Sequence, residues 1–110
     1  MPHTALPFAI ELWLPEELPP RQRQQAQQAF AQALAQSLGD AALVLPTYQA
    51  FVAIVQAQGT GSAEGIDVEN LPDAQRHVFE SWRLAETQAM QAVFGPQRHM
   101  GEGLYTLRAL

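Results

Sequence analysis

The stretch Phe8–Leu14 reads FAIELWL, with Phe8, Ile10, Leu12 and Leu14 alternating with Ala9, Glu11 and Trp13. A period of two between Pro7 and Pro15 predicts a half-buried strand. Trp13 falls on the face opposite Phe8 and Ile10, so both faces are expected to be partly covered. After the turn signals of Pro15–Pro20 the period changes. Ala26, Ala29, Phe30, Ala33, Leu34 and Leu38 recur at helical spacing, with Gly39 placed to end the helix. A helix is predicted over Arg21–Leu38. Its outer face carries Gln24, Gln28, Gln32 and Gln36 instead of ions.

The segment from Ala41 to Gln58 admits two readings. AALVL and AFVAIV are short apolar runs rich in β-branched residues, which favours two strands. Tyr48, Phe51, Val52 and Val55 also fit a helical stripe, with Pro46 in its first turn. Pro46-Thr47 is a poor two-residue hairpin turn, so a hairpin there would be irregular. The strand reading is preferred. Gly59–Asn70 is turn-rich and predicts a mobile loop, with room for a short strand at Ile66–Val68. Leu71–Phe94 is the second predicted helix, opened by Pro72-Asp73 and closed by Gly95-Pro96. Val78, Trp82, Ala85, Ala89 and Val93 form its stripe, flanked by Phe79 and Met90. Arg76, Glu80 and Arg83 are spaced for a solvated charge ladder. Leu104–Ala109 alternates again and predicts a closing strand, with Tyr105, Leu107 and Ala109 opposite Leu104, Thr106 and Arg108.

In order, these elements give β-α-β-β-α-β, a ferredoxin-like α+β plan with an antiparallel sheet and two helices on one face. If 41–58 is helical, the domain becomes mostly α, with only the terminal strands to pair. A chain of 110 residues, 47% hydrophobic, fits one domain over 1–110 with a frayed 1–7.

Charge changes the picture most between Arg23 and Glu64, where Asp40 is the single charged residue. Charge keeps soluble surfaces hydrated and solitary, so this stretch points to burial within the domain or against another chain. The glutamine face is either compositional drift or a packing face, since neutral amides cost less to desolvate than charges. A net charge of −5, with six scattered arginines, argues against nucleic-acid binding. There is no cysteine and no lysine, which excludes thiolate, cysteine–zinc, P-loop and Schiff-base chemistry. Met1–Pro7 lacks a basic secretory n-region, and Ala41–Ala57 falls short of the roughly 20 apolar residues of a membrane span. A soluble cytoplasmic protein is expected, with no membrane partner.

Glu86 stands out as a candidate catalytic residue. On an ideal helix it sits at the core edge, either desolvated towards general acid–base use or turned outward to Arg83. His77 lies on the polar side of the same helix with Ser81, Leu84 and Gln88. Arg98 and His99 share a loop and could hold an anion. His3, His77 and His99 are too scattered for a metal centre, so neither metal nor cofactor is expected. Met1-Pro2 followed by a strand and a helix resembles, in element order, the small tautomerase family, which uses an amino-terminal proline as base at an oligomer interface. Here Pro2 precedes Phe8 by six residues, whereas the family's proline begins the strand.

Two functions follow as expectations. The preferred one is a non-catalytic interaction module of antitoxin, immunity or accessory-subunit type. It would self-associate, as a dimer, or cap a partner through Gln24, Gln28, Gln32 and Gln36. The alternative is a dimeric α+β barrel of monooxygenase or isomerase type, with Trp13, Tyr48, Trp82 and Glu86 lining an apolar pocket.

Overall fold

The computed structural model describes residues 6–13, 18–58, 65–95 and 104–110. Strand β1 (Phe8–Trp13) leads to helix α1 (Pro20–Leu38), helix α2 (Val44–Gln58), helix α3 (Asp73–Phe94) and strand β2 (Leu104–Ala109). The two strands pair antiparallel as a two-stranded sheet, Phe8 opposite Ala109 and Leu12 opposite Tyr105. The β-α-β-β-α-β expectation is therefore overturned in favour of the mostly helical arrangement with paired terminal strands. Among the described residues the sheet has two strands, so the four-stranded sheet expected of a dimeric barrel is not formed there.

The correction lies in 41–58. Gly39 adopts the left-handed conformation (φ 85°) that ends α1, and its N–H donates to the Gln36 carbonyl at 3.2 Å. Asp40 then caps the next turn, its carboxylate accepting from the Ala42 N–H at 2.9 Å. A 3-10 turn over Ala41–Leu43 runs straight into α2, with Pro46 inside the first turn, where its missing N–H costs no helical bond. Val44, Phe51 and Ile54 are buried, and Tyr48, Val52 and Val55 flank them, so the 3.6-residue period prevails over β-branched propensity. By length and composition Ala41–Gln58 could also cross a membrane, with a mean hydropathy of 1.2 over 18 residues. Its three anchors instead point into the core, while Gln49, Gln56 and Gln58 face outward.

The core joins all three helices and one face of the sheet. Phe30, Ala31 and Leu34 from α1 meet Phe79, Trp82, Ala85, Ala89 and Met90 from α3, with Phe8 and Leu107 from the strands. The period-two pattern of β1 holds, with Phe8 and Leu12 buried and Glu11 and Trp13 exposed. Ile66 and Leu71 also reach the core. A 3-10 turn at Val68–Asn70 takes the place of the short strand expected there. Arg76 does not form the expected ladder with Glu80: its guanidinium donates to the carbonyls of Val68, Glu69 and Leu71, tying this turn to α3.

Helix α1 also covers the free edge of β1. The Leu12 N–H donates to Gln27 Oε1 at 3.0 Å, and Arg23 Nε donates to the Leu12 carbonyl at 3.2 Å. These bonds satisfy groups that would otherwise template another strand. Gln27→Ala should therefore cost about 1 kcal/mol of stability in urea unfolding, while Gln28→Ala, one position along, stays within about 0.5 kcal/mol. Equal effects would show that the Gln27 bond carries no weight.

Candidate functional site

Three of the residues singled out in the sequence come together around a fourth that was not. Trp82 and Glu86 lie one turn apart on the buried side of α3, and Tyr48 approaches from α2. All three surround Tyr105 of β2. Trp82 Nε1 donates to Tyr105 Oη at 2.8 Å, and Tyr105 Oη donates to Glu86 Oε2. Arg83 Nη1 donates to Glu86 Oε1 at 2.7 Å. Both Glu86 oxygens are thus engaged, and the residue is 3% exposed. Neither sequence reading alone describes it: Glu86 meets Arg83 and is buried as well, because the half-exposed arginine bends over the core edge.

Aromatic rings seal the carboxyl. The Tyr105 ring lies 5.4 Å from Phe30 and 6.0 Å from Tyr48, and Tyr48 lies 5.5 Å from Trp82. Phe51 bridges Phe79 and Trp82. Burial pushes the Glu86 carboxyl above its ordinary value of 4.5, opposed by the hydrogen bond from Tyr105 and by the Arg83 charge. Burial, with the Glu86 charge beside it, drives the Tyr105 phenol far above the usual range. No described buried side-chain polar atom lacks a partner. The constellation has the composition of an acid–base site, and each Glu86 oxygen accepts a hydrogen bond from within the protein. Tyr105 was legible only as one face of the closing strand, shared with Leu107 and Ala109; a tyrosine buried there needs a partner for its hydroxyl.

The other candidates stand apart. Trp13 is 45% exposed, on the opposite face of the sheet from Tyr105. Gln24, Gln28, Gln32 and Gln36 lie exposed along α1. Pro2, His3, Arg98 and His99 lie outside the described residues. Among the described residues no group of three or more His, Asp or Glu side chains is placed to hold a metal ion.

A second feature is open. The end of α1 (Ser37, Leu38), the turn into α2 (Leu43, Thr47) and one ridge of α3 (His77, Val78, Ser81, Leu84) line a cleft of about 290 Å³. The Ser37 hydroxyl donates to Gln88 Oε1 at 2.5 Å, bridging α1 and α3. Of His77, Ser81, Leu84 and Gln88, which share a face in the sequence, the first three line this cleft. Compared with protein-family models, curated proteins and solved structures, the chain gives no match.

The buried carboxyl makes stability depend on pH in a stated direction. Because the folded protein holds the Glu86 proton more tightly than the unfolded chain, its contribution is intact below about 4.5 and is lost as pH rises through the raised folded value. Glu86→Gln should remove the Glu86 part of the stability profile, the loss that sets in as pH rises above about 4.5. Thermal melts of both proteins check it; parallel profiles would contradict a raised Glu86.

Proposed function

We propose that this chain is a non-catalytic interaction module that associates with a second copy of itself through the outer face of α1. The observation that carries the reading is the ridge Gln24, Gln28, Gln32, Gln36, spaced at every fourth residue and exposed along the helix. Such a ridge is suited to packing against its own copy in i±4 helix geometry. In a two-fold interface each patch meets itself, so a charged face would oppose like charges. A primary amide both donates and accepts, and is complementary to itself. With a net charge of −5 on each copy, a neutral face is where approach is least opposed. The other side of α1 is committed to the core and to the edge of β1, leaving this face as the one free to associate. The commitment of both Glu86 oxygens to internal partners supports a non-catalytic role.

A single helix face is a small contact, so the dimer belongs to the weak, micromolar class. Light scattering should show mass rising towards two copies by about 100 µM. Gln28→Glu with Gln32→Glu should weaken association by about tenfold or more without changing the melting profile appreciably, since like charges then face each other. A strictly monomeric wild type across that range would overturn the reading.

A further inference from the structure

Four large hydrophobic side chains are exposed among the described residues, and two of them, Leu43 (49%) and Leu84 (57%), stand on the same cleft. Leu38 and Val78 continue the apolar wall, and the Ser37–Gln88 bond crosses between its two sides. Apolar side chains scattered singly need no explanation, but two leucines on one concave surface do.

The rim adds a sign. On α3 the exposed carboxylates Asp73 and Glu80 lie one turn before and one turn after His77, on the outer flank of the ridge. On the other wall, exposed Asp40 occupies the turn between Leu38 and Leu43. Among the described residues no arginine lines the cleft. The two arginines of α3 are held by other groups of the chain, Arg76 by the carbonyls of 68, 69 and 71 with the exposed Asp73 carboxylate 3.8 Å away, and Arg83 by Glu86.

We infer that this cleft is a docking groove for a basic amphipathic segment of a partner protein, whose apolar side chains lie between Leu43 and Leu84 while its lysines or arginines face Asp40, Asp73 and Glu80. Charge selects this occupant. A second copy would bring its own net charge of −5 to an acidic rim, and an anionic lipid surface or a nucleic acid would be repelled in the same way. A helix carrying apolar residues at i, i+3, i+4 and i+7 presents the narrow stripe that such a groove accepts. The inference extends the interaction-module reading to a different face, so dimer formation and partner docking can fail separately.

The test uses the full chain and two synthetic amphipathic helical peptides with the same leucine stripe, one with lysine at every polar position and one with glutamate. The lysine peptide should bind, shift the amide resonances of Leu43, Ser81 and Leu84, and weaken as salt rises. Leu43→Ser with Leu84→Ser, at exposed positions, should weaken binding about tenfold or more while the charge stays unchanged. Asp40→Asn with Asp73→Asn and Glu80→Gln, which keeps an amide cap at 40, should weaken it several-fold and flatten the salt dependence. Gln28→Glu with Gln32→Glu should leave it unchanged. Four results would each overturn the inference: equal binding of the glutamate peptide, undiminished binding by the leucine double variant, resonance shifts confined elsewhere, or tighter binding to phosphatidylserine vesicles than to the lysine peptide.

Discussion

A carboxyl placed among aromatic rings must be given hydrogen bonds or stay protonated, and Glu86 imposes that demand on this fold. It is met from two directions. Arg83 reaches over from one turn earlier on α3, and Tyr105 reaches in from β2, its own oxygen accepting from Trp82. Tyr105 thereby becomes the point where the sheet is fastened to the helices. It contacts Phe30 of α1, Tyr48 of α2 and Trp82 of α3, so one strand residue touches every helix. A two-stranded ribbon is marginal by itself, and this attachment, together with the covering of its edge by Gln27 and Arg23, gives it a fixed place.

Much of the architecture was legible from periodicity. The alternation in 8–14 and 104–109 predicted the strands found at Phe8–Trp13 and Leu104–Ala109, and Phe30 and Leu34 of the α1 stripe and Trp82, Ala85 and Ala89 of the α3 stripe are buried. The middle was not legible, because Val44, Val52, Ile54 and Val55 suit either period and local propensity pointed the wrong way. What decided it was the Gly39–Asp40 hinge, whose left-handed glycine and capping aspartate start a new helix immediately, leaving no room for a hairpin. The site was legible in part. Glu86 and Trp82 announce themselves by position on α3, but Tyr105 lies 19 residues beyond Glu86, and no periodic pattern links a strand to a helix at that separation.

The charge-poor stretch has a different meaning once the helices are in place. It does not vanish into the interior: α1 shows its glutamines to solvent, and α2 shows Gln49, Gln56 and Gln58. Among the described glutamines, Gln27 serves the fold directly, by accepting from β1. Exposed carboxylates, by contrast, stand in the turn before α2 (Asp40) and on α3 (Asp73 and Glu80), each near in sequence to residues that line the leucine cleft. Under the two proposals, the neutral face of α1 and the apolar cleft would take different companions.

The attachment of the sheet through Tyr105 and Glu86 is the claim on which the rest depends, and a double-mutant cycle tests it directly. Urea unfolding of the wild type, Tyr105→Phe, Glu86→Gln and the double variant would give the coupling between the two side chains. A coupling of about 1 kcal/mol or more is expected for hydrogen-bonded groups in a sealed core. Additivity within about 0.3 kcal/mol would mean that the two residues do not act together, and that something else holds the strand in place.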